Sequence, residues 1–202
     1  LSITDELLHY QTVSDRNLAK DKIRNMRFQI GLPNFHIDPW FTDGSNMAKS
    51  LLVNIDNIAV HRTNFTMSRW INHAETVRDP ELLMSTRTVN AYYHPYLNTA
   101  TFLAGIFQPQ FYSYKYDNTS RLAGIGFVMA HEMSHGADLS GIQFNENGDY
   151  NPNWMSPQTL NALNGLATCL MNQYSSKTMY GHNHNGALTI NENIADQIAM
   201  RA

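Results

Sequence analysis

The sequence predicts a mainly α fold with a small β element, an α+β arrangement. Three observations carry that expectation. Long segments poor in Gly and Pro space their apolar residues as helices do. One region, 85–109, changes texture to Val, Thr, Tyr and Phe broken by turn residues. An apolar run, Leu122–Ala130, leads straight into His131, Glu132 and His135, a spacing that serves chemistry only on a helix.

In chain order, residues 3–30 carry Ile3, Leu7, Leu8, Leu18, Ile23, Met26 and Ile30 at loose helical spacing and stop at Gly31-Leu32-Pro33, a helix-end signal. Pro39, Asp43 and Gly44 mark a loop. A second helical stretch is expected from about Asn46 to Arg78, with Leu51, Leu52, Ile55, Ile58 and Ala59 on its apolar face. STRTVNAYYHP and NTATFLAGIFQP, separated at His94, Pro95 and Asn98, read as a strand pair. Helix returns from Leu122 to about Gly136, residues 140–157 are loop, and Pro157 to Tyr174 is helical with Leu160, Leu163, Leu166 and Leu170 on one side. GHNHNG, 181–186, is a loop, and Asn191 to Arg201 a short last helix. This reads as one domain over 1–202, with a helical portion at 1–80 and the chemistry-bearing portion at 81–202.

Composition narrows the function classes. The chain has 202 residues and a formal charge of −3, with 14 Lys and Arg scattered rather than clustered, so nucleic acid is not an expected partner. No apolar run reaches the roughly 20 residues a membrane span needs. Any membrane attachment would come through an anchor outside these residues. The chain opens on Leu1 with no signal peptide, and reads as processed or as part of a longer protein. Cys169, the one cysteine, reads as a buried thiol or as half of a disulfide whose partner lies outside this chain. The sequons Asn64-Phe-Thr66 and Asn118-Thr-Ser120 suit a glycoprotein in an extracellular or cell-surface setting.

HEMSH carries the chemistry. Residues four apart share one helix face, about 6 Å apart along the axis, so the imidazoles of His131 and His135 can converge on one ion. Zinc accepts nitrogen and oxygen ligands tetrahedrally, and catalytic sites keep one position for water. Glu132, rotated about 100° from His131, is free to face that water and take its proton. The blander alternative is a pair of solvated histidines. The apolar lead-in argues against it, because it would bury the helix, and unpaired imidazoles there are costly. For a third ligand, NENIAD offers Glu192, with Asp196 one turn on to accept a hydrogen bond from a ligand histidine. His182 and His184 are the competing candidates.

These residues resemble the neprilysin family of zinc metallopeptidases, of the glutamate-zincin type. VNAYYHP (89–95) resembles the family's Asn-Ala-aromatic substrate strand, and FLAGIFQPQFYS (102–113) the segment after it. GIGFVMAHEMSHGADLSGIQFNENGDYNPNW (124–154) resembles the zinc helix and its exit loop. TCLMNQY (168–174) has a cysteine where the family has one, and NGALTINENIAD (185–196) resembles the third-ligand helix. AKDKIRNMRFQIGLP (19–33) is similar to the family's Lys-rich helix ending in Ile-Gly-x-Pro.

The resemblance implies a zincin-like catalytic lobe holding one Zn2+ through His131, His135 and Glu192. It implies Glu132 as general base, Asp196 as orienter of a ligand histidine, and Asn90 with the Ala91 backbone as the holder of an extended peptide. The implied function is a zinc-dependent metalloendopeptidase acting on small peptides. The alternative is a truncated or degenerate zinc-binding module with a peptide-binding or structural role. Departures from the family pattern are Ala137 for Phe, Leu139 for a second Asp, Asn191 for Gly, and Gln197-Ile198 in place of an expected Asn-Gly-Gly. The family's transition-state histidine and arginine lie well beyond the third-ligand helix and have no counterpart here, so weak hydrolysis by the isolated chain is expected.

Overall fold

The computed structural model describes residues 12–31, 50–73 and 83–202. The chain divides into two compact units, Leu1–Pro33 with Leu82–Ala202, and Asn34–Glu81. The first 33 residues thus group with the later part of the chain rather than with the rest of the 1–80 portion. No described helix is long and apolar enough to cross a membrane.

In the larger unit, helix α1 (Val13–Arg24) starts where the Thr12 side chain accepts a hydrogen bond from the Asp15 backbone N–H at 3.0 Å. The helix expected through Ile30 ends six residues early. Arg27–Gly31 is instead a strand, β1, paired in parallel with Thr99–Leu103 from Arg27↔Thr99 to Gly31↔Leu103. Tertiary pairing overrides the helical spacing here. β2 (Ala91–His94) and β3 (Thr99–Leu103) form the expected antiparallel pair, giving a sheet of order β1-β3-β2. Asn98 turns the chain between them in a left-handed conformation, φ 45°. Its buried amide donates to Lys22 O at 2.8 Å and Glu146 O at 3.1 Å, binding the hairpin to α1 and to the loop beyond the histidine helix.

That helix begins earlier than the sequence suggested. Asp117 caps a short helix, Asn118–Arg121, by accepting from Ser120 N at 2.7 Å. A π-helical turn, Leu122–Gly126, follows, and then helix Phe127–Ser134. The wider turn frees the Ile125 N–H to donate to Phe111 O at 2.8 Å. Gly124 is required at this approach, because a Cβ there would overlap the Phe111 carbonyl oxygen.

The exit loop contains a 3-10 turn, Gly141–Gln143, and a bridge between Phe144 and Tyr150. Helix Pro157–Ser175 follows, with Ser156 as its cap and Pro157 in the first turn. Asp15 of α1 is buried against this helix start, accepting from Ser156 N at 3.2 Å, Ser156 Oγ at 2.5 Å and Thr159 Oγ1 at 2.6 Å. The 181–186 segment is not wholly loop, since His182–Asn183 pairs with Thr178–Met179. The last described helix is Ile190–Ala199.

Two apolar clusters form the core. One gathers Ile142, Met155, Leu163, Leu170, Ile190 and Ile194, the other Met26, Ala91, Phe102, Ile106 and Ile125. Met133 packs against both, so the histidine helix is held between them. A side chain as fully buried as Ile194 contributes about 1.5–3 kcal/mol.

The smaller unit contains helix Leu51–His73. Of the expected apolar face, Leu51, Leu52 and Ile55 are exposed. The expected loop at Pro39, Asp43 and Gly44, and the helix margins beyond 50–73, lie outside the described residues.

Candidate metal centre

His131 and His135 lie one turn apart at the end of helix Phe127–Ser134, and Glu192 is in the first turn of Ile190–Ala199. The two helices pack directly and bring these side chains together from 57 or more positions apart in sequence. His131 Nε2 is 3.1 Å from His135 Nε2 and 3.2 Å from Glu192 Oε2, and His135 Nε2 is 3.6 Å from that same oxygen. Among the described residues, these three are the group whose candidate ligand atoms converge closely enough to hold a metal ion.

The outer ring nitrogens settle what faces inward. His131 Nδ1 lies 2.8 Å from Asp196 Oδ1, and His135 Nδ1 lies 2.8 Å from Asp138 Oδ2. A carboxylate only accepts, so each Nδ1 carries the proton. In the neutral rings, both Nε2 lone pairs then point at each other and at a carboxylate oxygen. Such a set is repulsive without a cation. Zinc suits the donor set: metal–ligand bonds of about 2.0–2.2 Å at tetrahedral angles separate ligand atoms by about 3.3–3.6 Å, within a few tenths of an ångström of the separations here.

Asp138 was not singled out as an orienting group by sequence reasoning. It is buried, and its other oxygen accepts from Ser140 N at 2.8 Å and Gly141 N at 2.7 Å. The available signal was an acid three residues after a candidate ligand histidine, too common a pattern to stand out. Burial alone would lower the pKa of His135, but the Asp138, Glu132 and Glu192 carboxylates outweigh it and raise it.

Glu132 is buried beside the cluster. Burial pushes its carboxyl above the ordinary value, against the pull of both imidazoles and of a hydrogen bond from the Tyr93 backbone N–H. It therefore sits on the face of the helix turned toward β2.

A cleft of about 490 Å3 opens over the cluster, lined in part by Asn90, Ala91, Tyr92, Ser140 and Glu132. β2 is an edge strand. The Asn90 carbonyl accepts from Leu103 N at 3.2 Å, so strand alternation turns the Ala91 carbonyl toward the open edge. The Asn90 side chain accepts from the Ala91 N–H at 2.9 Å. His184 is bound to Thr189 Oγ1 at 2.9 Å, and His182 is exposed on its short strand; neither joins the cluster. Cys169 is exposed on helix Pro157–Ser175, not buried as a small hydrophobe would be.

Asn191, which stands before Glu192 where the resemblance led to an expected Gly, donates to Ser140 Oγ at 2.8 Å and ties the segment after His135 to the helix that carries Glu192.

The chain is 30% identical over 200 residues to an endothelin-converting enzyme homolog of Locusta migratoria, covering 96% of this chain and 27% of that protein. It is 31% identical over 204 aligned positions to endothelin-converting enzyme 1 of Mus musculus, covering 96% of this chain and 26% of that one. The chain therefore spans about a quarter of the length of these relatives. The fold matches the zinc metalloprotease Zmp1 of Mycobacterium tuberculosis, solved with an inhibitor, at a TM-score of 0.79 and 26% identity, over 98% of this chain and 33% of that one. The model for peptidase family M13 matches residues 90–202, the stretch that carries β2, the histidine helix and Glu192, and the chain belongs to that family.

Proposed function

We propose that the protein containing this chain is a zinc-dependent metalloendopeptidase acting on small peptides, with one zinc ion held by His131, His135 and Glu192. The observation that carries the reading is the triangle of inward-facing Nε2, Nε2 and Oε2 atoms with a buried carboxylate, Glu132, beside it. Zinc there supplies a Lewis acid for a peptide carbonyl and lowers the pKa of a water molecule.

The chain's own residues supply the rest. Asp196 and Asp138 hold the two rings in the tautomer that leaves Nε2 free. Glu132, with its proton affinity raised by burial, takes a proton from the attacking water and returns it to the leaving amine. The open edge of β2 takes the substrate main chain in extended form, with the Ala91 carbonyl as acceptor and the Asn90 side chain as a further polar contact. An extracellular or cell-surface setting accords with the sequons at Asn64 and Asn118, both exposed.

The test is zinc content and chelator-sensitive cleavage of a short peptide by the full-length protein. One zinc per chain with activity abolished by the chelator is expected. Stoichiometric zinc without cleavage, or cleavage indifferent to the chelator, would refute it.

A further inference from the structure

Lys22 is buried to 3% exposure, although lysine is among the residues least often found inside. Its ammonium donates to Gly141 O and Phe144 O, both at 2.6 Å, and lies 5.5 Å from the centre of the Trp154 ring. Its side chain runs against the end of the histidine helix: a Cβ on Gly136 would meet Lys22 Cε at 3.6 Å. A cation there is favoured by the helix C-terminus. Burial lowers its pKa to about 7, against the opposing pull of Asp138 and Glu146.

The segment it grips is the one that orients His135. Gly141 offers its carbonyl to Lys22 and its N–H to Asp138 Oδ1, while Asp138 Oδ2 faces His135 Nδ1. Gly141 also folds back on the His135 carbonyl so closely that a Cβ would overlap it. A shift of Gly141 therefore moves both the acceptor and its histidine.

We infer that Lys22 is a positioning residue for the metal site, acting through Gly141 and Asp138 to set the orientation of His135. The inference rests on the metal-site reading above. It assigns a role to a side chain 113 positions from the histidine it serves.

The experiment is a set of zinc dissociation constants, by chelator competition, on the full-length protein and its variants. Lys22→Met is placed in three backgrounds: wild type, Asp138→Asn and Asp196→Asn. Thermal unfolding of each zinc-free variant checks that it is folded. In the wild-type and Asp196→Asn backgrounds, Lys22→Met is expected to weaken zinc binding about tenfold, the low end for a group that supports a ligand indirectly. In the Asp138→Asn background it should cost almost nothing more, because the path it acts through is already broken. A general loss of packing would not discriminate between the two backgrounds.

Equal losses in all three backgrounds, or unchanged affinity in folded Lys22→Met, would overturn the inference. If Lys22→Met fails to fold, Lys22→Gln, whose amide sits one bond short of the lysine nitrogen and loses the paired grip on Gly141 O and Phe144 O, enters the same cycle with the same expectation and the same refutation. A wild-type protein with no zinc affinity would bring down the site reading and this inference together. A zinc-binding wild type with an indifferent Lys22 variant brings down the inference alone.

Discussion

Replacing Asp138 by Asn should weaken metal binding far more than replacing Asp196 by Asn, although both acids face a ligand histidine at 2.8 Å. In Asp138→Asn the amide oxygen can still accept from Ser140 N and Gly141 N, but its NH2 then turns toward His135 Nδ1. Two donors would face each other. The ring escapes by moving its proton to Nε2, the atom that must stay free for the metal. Losing a buried charge-assisted hydrogen bond costs about 1.5–3 kcal/mol, which is about 10- to 150-fold in affinity. Asp196 has a side chain 46% exposed, against 4% for Asp138. Water can replace much of what Asp196 does, and an exposed pair contributes about 0–1 kcal/mol, at most about fivefold. Chelator competition with a fluorescent zinc indicator measures both variants. Equal losses, or a larger loss for Asp196→Asn, would show that burial of the acid does not decide its influence on the histidine.

Three further outcomes follow from the same structure. Glu132→Gln should bind zinc like the wild type and lose peptide hydrolysis; a peptide-cleavage assay with metal analysis reads both, and surviving activity would mean another group takes the proton. The Asp15 carboxyl is buried, which raises its pKa, but hydrogen bonds from Ser156, Thr159 and Thr12 outweigh that and hold it below its ordinary 3.8. A depressed folded-state pKa adds stability that is present above about pH 4 and lost as pH falls through the folded value. Asp15→Asn should thus destabilise by about 1.5–3 kcal/mol at pH 7 and by progressively less in denaturation experiments below pH 4; a constant deficit would refute the role of the charge. Gly124→Ala should lower the melting temperature, at a cost of about 1–3 kcal/mol for forcing the Phe111 carbonyl away, whereas Gly165→Ala, with nothing within 4 Å of its new Cβ, should raise stability by about 0.5–1 kcal/mol. Calorimetry on the pair tests whether the π turn depends on that close approach.

The parts of the site legible in the sequence are those whose geometry is local. His131 and His135 are fixed relative to each other by one helical turn, and Glu192 to Asp196 by another, so each pair could be read within five residues. The strand pair at 91–103 was readable for the same reason, its turn lying between its halves. What escaped depends on distant partners. All of β1 but its last residue, Gly31, lies in a segment free of Gly and Pro, and its pairing strand is 72 positions away. Lys22 looks like a solvated helix residue until the loop at 141–144 closes over it. The π turn has no residue signature beyond Gly124 and Gly126, and it exists because Phe111 O approaches from another segment. The hairpin at 178–183 is two residues per strand, too short for any alternation to register.

The parallel pairing of β1 with β3, and the reach of Lys22 across 119 and 122 positions, have a consequence for biosynthesis. Loops of that length close slowly, because their entropy is lost before any contact rewards it. Helix α1 must wait, unsatisfied, while more than a hundred further residues leave the ribosome, and Glu192 arrives later still. Metal uptake through the proposed ligand set is therefore expected among the last events in maturation of this region, and a nascent chain that captured zinc tightly before residue 192 emerged would contradict that order.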